Sequence, residues 1–563
     1  MAPTAKSQPA QVPAGRASSP ISSWRLPLLF ACVSAVLLDF CFPVAGPLPP
    51  ARAALAWVAL VPLLWALLND GAAAHPRYLR RATLTAYACG VLWYILNCYW
   101  IYQTMLFYGH VPPLGSAGIV VLFSAILGLY FAVFGFLTAF FRRRFGLIPA
   151  LVLAPFLWSA LELAAARITS VPWDQLGYSQ VDNLWLTRLA PVTGVYGLSF
   201  VLVGVNAMIA VAALRWKAMR RRAGVPAVLG AIGIFIALFS MIPLGASPSP
   251  TSAYAVLLQP NIQVAADAGW TGNEWFGNLS WLLQQSTRTC TPAFRGMPRS
   301  GVTPPGGDCA QNTPPPGVIL WPETASWFQS DQPRTLQAMH LLATTTRAPI
   351  IAGMAGPQGD YNSALFVQPD GSIAGRYDKI HLVPFGEYIP DRNLFFFAKS
   401  LTHQLVDLQR GTQRNVFTAS TSSGPHAFGT FICYESIFAD EVRQFTLHGA
   451  QVLVNLSDDG WYGDTSAPWQ HLNMSRMRAI ENHRWLLLDT NSGVTTVIDP
   501  DGRVTFSAPR HQLTALIARY GYETNLTFYT RFGDLFAYLC CVVVILALGA
   551  AVARRPRATS PKL

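Results

Sequence analysis

Two apolar stretches of this sequence have the pattern of buried strands, and each stops on a residue that can do chemistry. VILWPE ends on Glu323, and GTFICYE contains Cys433 close to its end. Reactive groups of α/β folds are commonly exposed at strand ends. Between these stretches, a segment interrupted by Pro and Gly carries Lys379 and Glu387. The sequence therefore offers a thiol, an ammonium group and two carboxylates.

This combination of groups can carry out acyl transfer. A cysteine attacks a carbonyl, a carboxylate removes and returns its proton, and a cation stabilises the oxyanion. Each residue also has a simpler interpretation when it is taken alone. A cysteine in a strand is commonly a buried apolar side chain, and Glu323 or Lys379 can form an ordinary surface ion pair.

The segments around these residues have the pattern of an α/β sandwich. DPDG at 499–502 predicts a hairpin, and apolar residues at helical spacing predict helices in RTLQAMHLLATTT and from His471 to His483. Short β-branched runs closed by turn residues predict strands at 253–261, 318–323, 348–356, 362–371, 429–435, 451–459 and 485–502. Strands that alternate with helices indicate a sandwich of sheets and helices.

Composition places much of the chain in a membrane. It has 563 residues, of which 52% are hydrophobic and only 12% are charged, against about 25% charged in soluble domains. Eight segments are apolar for about the 20 residues that a membrane helix needs. They run near 24–43, 53–68, 84–107, 116–141, 147–164, 190–214, 225–245 and 532–553. The first is predicted to be a retained anchor, with a cleaved signal peptide as the alternative.

The basic residues predict the orientation of these spans. Lys and Arg cluster before the first span and after the second, fourth, sixth and eighth, and short loops rich in such residues stay in the cytoplasm. Both termini are therefore expected to be cytoplasmic, and the long segment 246–530 lies on the far side. The net charge of +12 is spread over these clusters, without the basic face or aromatic motif of a nucleic-acid-binding protein.

These features divide the chain into five predicted regions. They are a disordered cytoplasmic tail at 1–23, seven membrane helices at 24–245, an exported catalytic domain at 246–530, an eighth membrane helix at 531–553 and a cytoplasmic tail at 554–563.

Cysteine usage agrees with an exported domain. Six of the nine cysteines lie in or beside apolar spans, where a thiol packs as a small apolar group. The exported segment holds Cys290, Cys309 and Cys433, which suggests one disulfide and one free thiol. Cys290 and Cys309 bracket a Pro- and Gly-rich stretch and are the natural pair.

Three ordered motifs resemble a known superfamily. WPE, DKIHLVPFGEYIP and ICYE place Glu323, Lys379 and Cys433 at intervals of 56 and 54 residues, and they resemble the Glu-Lys-Cys signature of the nitrilase superfamily. Together with seven spans before the domain and one after it, the chain resembles bacterial apolipoprotein N-acyltransferases along nearly its whole length. Further segments similar to that family are APFLW with Glu162, VPWDQLGYSQ, VLLQPNI, DGWYGD, APWQH, RMRAIE and NSGVTTVIDPDG. The resemblance implies an αββα sandwich of nitrilase type beside the membrane helices.

The resemblance also implies roles for individual residues. Cys433 is the expected nucleophile, Glu323 the general base, Lys379 the partner of oxyanion and thiolate, and Glu387 an assisting second carboxylate. Four further residues are expected to bind substrate or support the site: Tyr434, Glu435, Trp270 and Asn362. Trp275 is the alternative to Trp270. For Asn362, a role in a turn or at a strand end is the alternative.

The implied function is a two-step acyl exchange at the inner membrane of a Gram-negative bacterium. Cys433 takes a fatty acyl group from a glycerophospholipid as a thioester and passes it to the N-terminal amine of a diacylglyceryl-cysteine on a lipoprotein. The partners are therefore a phospholipid donor, a diacylated lipoprotein acceptor and membrane lipids, with no nucleic acid, no cofactor and no metal. The alternatives are a membrane-anchored amidohydrolase that uses water as acceptor, and a transporter or receptor whose exported domain binds a ligand.

Overall fold

The apolar N-terminal segments form long helices in the computed structural model of the protein. The structure describes residues 22–219, 249–264, 272–287, 315–324, 328–389 and 407–553. The helices before the first strand are α1 Ser22–Phe40, α2 Pro50–Ala53, α3 Val61–Leu68, α4 Asp70–Ala73, α5 Tyr78–Asn97, α6 Trp100–Phe107, α7 Pro113–Phe145, α8 Leu147–Ala164, α9 Ala190–Thr193 and α10 Val195–Met219. Later helices are α11 Gly272–Thr287, α12 Pro333–Thr346, α13 Ala439–Leu447, α14 Ala467–Asn482, α15 Phe528–Phe532 and α16 Leu535–Ala553.

Several of these helices are long and apolar enough to cross a membrane. Within the described ranges there are five, at Pro50–Leu68, Pro113–Phe145, Leu147–Thr169, Val195–Arg215 and Leu535–Ala553. The pair α5 and α6, bent by 51°, makes a sixth if it is one broken span. The first predicted span forms α1, which packs along α5, and the seventh, at 225–245, lies outside the described residues. The count of eight therefore stays a prediction.

The described residues form two sheets of six strands each. The strands are β1 Ala253–Gln259, β2 Val318–Trp321, β3 Ile350–Ala355, β4 Asn362–Val367, β5 Ile373–Asp378, β6 Val416–Thr421, β7 Gly424–Ile432, β8 Val452–Ser457, β9 Trp485–Thr490, β10 Thr496–Ile498, β11 Val504–Ser507 and β12 Thr514–Tyr520. The predicted segments contain all or part of eight of these strands but none of β5, β6, β11 and β12. The first sheet has the order β12-β1-β2-β3-β4-β5 and the second β11-β10-β9-β8-β7-β6. The predicted hairpin at DPDG is confirmed, because β10 and β11 pair antiparallel across it.

The two sheets pack face to face with helices outside them. Along β1, Ala255 and Leu257 point into the core between the sheets, whereas Val256 and Leu258 point outward and pack beneath α11 and α12. This alternation follows from the two-residue period of a strand. On the second sheet, α13 and α14 cover the outer face. The predicted αββα sandwich is therefore present.

Helix α14 joins the sandwich to the membrane helices. Leu472 and Ala479 face the core of the sandwich, while Met474 and Met477 pack into the cluster formed by the membrane helices. The side chain of Gln470 accepts a hydrogen bond from Trp173 Nε1 at 2.9 Å and donates one to Asn97 Oδ1 at 3.0 Å. A helix buried on both sides holds the two parts together, because neither of its faces is left for water.

A buried ion pair on α14 reinforces this junction. Arg478 Nε lies 3.0 Å from Glu481 Oε2, and both side chains are fully buried. Arg478 also donates to the hydroxyl of Tyr178 at 3.0 Å, and Glu481 Oε1 accepts from the backbone N–H of Val195 at 2.9 Å. The pair therefore ties α14 to the start of α10 and to the loop before it.

Arg478→Met is expected to destabilise the folded protein by about 3–5 kcal/mol, because it leaves the Glu481 carboxylate buried without its cation. The thermal unfolding midpoint of the protein in detergent measures the loss. The double variant R478M/E481Q removes both charges and should unfold at a higher temperature than R478M. Equal midpoints for the two variants would show that the unpaired charge is not the cause.

Some predictions fall on residues that the structure does not describe. They concern nearly all of the N-terminal tail at 1–23, Trp270, the cysteines Cys290 and Cys309, and the C-terminal tail at 554–563.

Candidate active site

The proposed nucleophile sits on a tight turn at the end of β7. Strand β7 ends at Ile432, and a short 3-10 helix begins directly at Cys433. Cys433 has a φ of 50°, a left-handed conformation that costs a non-glycine residue about 1–3 kcal/mol. Its carbonyl accepts hydrogen bonds from Asn455 Nδ2 at 3.2 Å and from His471 Nε2 at 3.1 Å. Two side-chain donors thus stabilise the strained turn that presents the sulfur.

The ammonium group of Lys379 is buried between the carboxylates of Glu323 and Glu387. Lys379 follows β5 and Glu323 follows β2, and the side chain of Lys379 is only 1% exposed. Lys379 Nζ lies 3.0 Å from Glu323 Oε1 and 2.9 Å from Glu387 Oε1. The structure therefore brings Glu323 to Lys379, 56 positions away in sequence, and to Glu387, which follows the lysine by eight.

Both carboxylates are further held by hydrogen bonds. Asn362 Nδ2 donates to Glu323 Oε1 at 2.7 Å and to Glu387 Oε1 at 2.8 Å. The second oxygen of Glu323 accepts from the backbone N–H of Asp458 at 2.8 Å, and that of Glu387 accepts from the N–H of Val383 at 2.7 Å. Asn362, the first residue of β4, therefore bridges the two carboxylates, and a role in supporting the site stays a prediction.

The electrostatics of the cluster favour a charged lysine and a neutral thiol. Burial would lower the pKa of Lys379, but Glu323 and Glu387 outweigh burial and raise it well above its ordinary value. Burial and the charge of Glu323 raise the pKa of the Cys433 thiol, against a lowering by Lys379. Lys379 therefore favours the thiolate by lowering the pKa of Cys433, but burial raises that pKa by more, and the thiol stays protonated. A base must take the thiol proton before the sulfur can attack.

Glu435 and Tyr434 hold the nucleophile turn through hydrogen bonds to neighbouring segments. The Glu435 carboxylate is buried and accepts hydrogen bonds from the Tyr377 hydroxyl and from the backbone N–H groups of Ile380, His381 and Ile432. Tyr434 donates to the carbonyl of Ser170, in the loop after α8, at 3.2 Å. Glu435 thus anchors the segment after Lys379 to the nucleophile turn, and Tyr434 anchors that turn to the helical region.

The tryptophan rival to Trp270 lies away from the cluster. The ring of Trp275, on α11, is 5.2 Å from that of Phe328, and both pack on the outer face of the first sheet. Glu323 and Lys379 lie at the strand ends instead. Trp275 therefore contributes to the outer core of the sandwich.

Two further groups at the site were not assigned a role from the sequence. Burial and the nearby charge of Glu323 raise the pKa of Asp458 to about 8, so this carboxyl is mostly neutral at pH 7. His471 is fully buried, and its Nδ1 lies 3.0 Å from Asp459 Oδ1. Asp458 directly precedes the motif DGWYGD, and His471 is the last residue of APWQH. These positions are the signal that the sequence offers for the two residues.

His471 holds the nucleophile turn through the Cys433 carbonyl, and its surroundings favour the imidazolium form. Burial would lower its pKa, but the charge of Asp459 and its hydrogen bond outweigh burial and raise it from its ordinary value of 6.5. With both ring nitrogens protonated, Nδ1 donates to Asp459 and Nε2 donates to the Cys433 carbonyl, with Ser436 Oγ 2.6 Å away. Because the folded pKa is raised, this stabilisation is fully present below pH 6.5 and is lost as the pH rises through the folded value.

His471→Asn is expected to lower the rate of acylation of Cys433 by about 10- to 100-fold with little change in KM, because the turn is no longer held in place. A glutamine at 471 can still reach the Cys433 carbonyl with an amide N–H, whereas asparagine is too short. His471→Gln should therefore keep more activity than His471→Asn. Equal rates for the two variants would show that the hydrogen bond to the carbonyl is not what matters.

No group of three or more His, Cys, Asp or Glu side chains suited to a metal ion occurs in the part of the chain that the structure describes. The chemistry available at the site is that of a buried cysteine beside a carboxylate and an ammonium group. A carboxylate that takes a proton, a sulfur that attacks and a cation that stabilises an oxyanion suit acyl transfer.

Comparison with known proteins covers both parts of the chain. The family model described as the apolipoprotein N-acyltransferase N-terminal domain matches residues 34–208, and the carbon-nitrogen hydrolase model matches residues 308–521. The apolipoprotein N-acyltransferase of Geobacter metallireducens is 31% identical over 530 residues, which cover 91% of this chain and 92% of the relative. That of Ralstonia nicotianae is 32% identical over 497 residues, covering 85% and 86%.

Among solved structures, an amidase from Nesterenkonia sp. is similar to about half of the chain. The similarity covers 51% of this chain and 96% of the amidase, with 15% identity and a TM-score of 0.35. The Nit3 protein of Saccharomyces cerevisiae, a member of the nitrilase superfamily, covers 48% and 92%, with 17% identity and a TM-score of 0.33.

Proposed function

The chain belongs to the apolipoprotein N-acyltransferase family, and on that basis we propose that Cys433 carries a fatty acyl group from a membrane phospholipid to a lipoprotein amine. The protein is a bacterial membrane acyltransferase with a nitrilase-like domain, and its reaction is the N-acylation of apolipoproteins. The observation that carries the assignment of the site is the buried contact of Lys379 with Glu323 and Glu387. The charges of Glu323 and Lys379 act in opposite directions on the pKa of the Cys433 thiol.

In the proposed first step, Glu323 takes the proton of the Cys433 thiol, and the sulfur attacks an ester carbonyl of the phospholipid. The Lys379 ammonium group stabilises the negative oxygen of the tetrahedral intermediate. The carbon–oxygen bond of the ester then breaks, and the departing oxygen takes the proton back from Glu323. The products are a thioester on Cys433 and a lysophospholipid.

In the second step, the amine of the acceptor attacks the thioester carbonyl. Glu323 accepts a proton from the nitrogen, Lys379 again stabilises the oxyanion, and the carbon–sulfur bond breaks. The sulfur recovers its proton from Glu323, which restores the resting thiol that burial favours. A thioester is a suitable intermediate because it keeps the acyl group reactive toward an amine.

The membrane helices account for the lipid substrates in this proposal. The nucleophile turn contacts the loop after α8 through Tyr434 and Ser170, so the residue that carries the sulfur is attached to the helical region that would hold the lipids. The proposed acceptor is the N-terminal amine of a diacylglyceryl-cysteine, which is also held in the bilayer by its acyl chains. A soluble amidase would have no need of this arrangement.

The proposed location is the inner membrane of a Gram-negative bacterium, with the domain at 246–530 in the periplasm and both termini in the cytoplasm. Support comes from the basic clusters, for example Arg142, Arg143 and Arg144 in the last turn of α7. The proposed regions at 1–23, 24–245, 531–553 and 554–563 follow from the same pattern.

Mass spectrometry with a phospholipid of defined acyl chains tests the proposal. The purified protein is incubated with the lipid, and the peptide that contains Cys433 is expected to gain the mass of one fatty acyl group. Addition of a diacylglyceryl-cysteine peptide should remove that mass and yield an N-acylated peptide. Release of free fatty acid without the acylated amine would favour the amidohydrolase alternative, and an acyl group on another residue would reject Cys433 as the nucleophile.

A further inference from the structure

A small cavity lies between α5, α7, α8 and the loop that follows α8. Its volume is about 40 Å³, and its walls include the aromatic rings of Tyr94, Trp158 and Trp173 and the carboxyl groups of Glu162 and Asp174. None of the described residues that line it is a Lys, Arg or His. The cavity therefore combines aromatic walls with two acidic groups and no balancing cation.

Asp174 lines this cavity, and one of its carboxyl oxygens has no hydrogen-bond partner among the described residues. The residue is fully buried and has a φ of 47°, so its backbone is held in a strained conformation. Its Oδ2 accepts a hydrogen bond from Asn97 Nδ2 at 3.0 Å, whereas its Oδ1 has no hydrogen-bond partner among the described residues. Asn97 is in turn held by Gln470 of α14 at 3.0 Å. The network fixes the orientation of the carboxyl group and leaves one oxygen unused.

A buried carboxyl group without a cation is costly in a protein interior. Burial raises the pKa of Asp174 to about 7, against a lowering by the Asn97 hydrogen bond. The group is therefore poised between its neutral and charged forms near neutral pH, and a bound cation would shift it to the carboxylate. Aromatic faces around a carboxylate are the surroundings in which proteins bind ammonium groups.

We propose that this cavity binds the primary ammonium group of a substrate, through Asp174 Oδ1 and the surrounding aromatic rings. The volume supports a small group, because about 40 Å³ holds roughly three water-sized groups at about 10–15 Å³ each. An ammonium group with one or two methylene groups fits this space, and a quaternary ammonium group with three methyl groups does not.

The position of the cavity relative to Cys433 suggests which ammonium group it binds. Trp173, which lines the cavity, donates a hydrogen bond to Gln470 at 2.9 Å. The next residue, His471, hydrogen-bonds to the Cys433 carbonyl at 3.1 Å. Cys433 itself is not among the described residues that line the cavity. The amine that is acylated must reach the thioester itself, so the ammonium group bound at Asp174 is a second, unreacting one. It belongs to the headgroup of the phospholipid donor or to a lysine side chain of the acceptor peptide, and this substrate role depends on the proposed function.

Binding of ethylammonium tests the site without any turnover. Ethylammonium chloride is expected to raise the thermal unfolding midpoint of the full-length protein in detergent in a saturable way, relative to the same concentration of sodium chloride. Tetramethylammonium chloride should give no such shift. The Asp174→Asn variant, which keeps an oxygen for the Asn97 hydrogen bond, should lose the ethylammonium shift. The control Asp464→Asn removes a carboxylate whose side chain is 82% exposed and should keep it.

The source of the ammonium group is found from the two half-reactions. Suppose that the cavity binds the donor headgroup. The KM for thioester formation from an ethanolamine phospholipid then rises in D174N until it equals the KM for a glycerol phospholipid, and the rate of transfer to the acceptor is unchanged. If an acceptor lysine binds, D174N slows only transfer to a peptide that contains lysine. Unchanged half-reactions overturn the substrate role, and an ethylammonium shift that D174N retains overturns the site. A wild-type protein that forms no thioester contradicts the proposed function instead, because the ethylammonium shift does not need catalysis.

Discussion

Replacement of Cys433 by alanine is expected to remove the acyl-enzyme and to lower acyl transfer by at least about 10³-fold, because Lys379 is held as an ammonium group without a free electron pair and the carboxylates are weak nucleophiles. The sulfur lies on a strained turn whose carbonyl is held by Asn455 and His471. Loss of the sulfur leaves Glu323 and Lys379 with no nucleophile to activate. Intact-protein mass spectrometry after incubation with phospholipid measures the acyl adduct, and analysis of the acylated peptide product measures turnover.

Two controls separate the chemical effect of C433A from a folding defect. The variant should keep the wild-type thermal midpoint within a few degrees, because it removes one small buried atom. The matched variant Cys540→Ala removes a buried thiol in α16, far along the chain from the cluster, and should keep acyl transfer. Turnover that survives in C433A, with an acyl mass on another side chain, would contradict the proposed mechanism.

Glu323→Gln is expected to give the second largest loss, a fall of about 10²- to 10⁴-fold in the rate of thioester formation, the usual contribution of a general base. Burial keeps the Cys433 thiol protonated, so the sulfur cannot attack until its proton is removed. Glutamine has nearly the same shape and can still accept the N–H of Asp458, but it cannot take a proton. The rate of acylation in a single turnover measures the effect.

The same variant has an opposite effect on the unassisted thiol. The carboxylate of Glu323 raises the pKa of Cys433, so its removal should lower that pKa. Alkylation of Cys433 by iodoacetamide, followed by mass spectrometry over a range of pH, should therefore begin at a lower pH in E323Q than in the wild type. D464N is the control and should leave both the acylation rate and the alkylation profile unchanged. Alkylation that shifts to higher pH in E323Q would contradict the electrostatic account of the site.

The difference between these two variants distinguishes nucleophile from base. C433A loses both the adduct and the alkylation site, whereas E323Q keeps a reactive sulfur that alkylates readily and acylates slowly. A merely structural role for Glu323 would lower both reactions together. The pair of measurements therefore assigns separate roles to the cysteine and to the carboxylate that contacts Lys379.

Local patterns in the sequence predicted eight of the twelve strands, the hairpin at DPDG and most of the apolar helices, because each depends on residues close together in the chain. The strands β5, β6, β11 and β12 were missed. The same patterns placed Glu323 and Cys433 at strand ends, and the ordered motifs joined Lys379 and Glu387 to them. The pairing of β1 with β12 and the arrangement of the strands into two sheets came only from the structure, since they depend on residues about 250 positions apart.

Tertiary structure alone decided which polar atoms meet. The bridge of Asn362 to both carboxylates, the hydrogen bonds of His471 to the Cys433 carbonyl, the anchoring role of Glu435 and the unused oxygen of Asp174 all join separate segments. It also decided that the thiol is neutral at rest, because a pKa depends on burial and on every nearby charge. Residue types and order determined which chemistry this protein has available, and long-range packing determined the protonation, orientation and partners of the groups that carry it out.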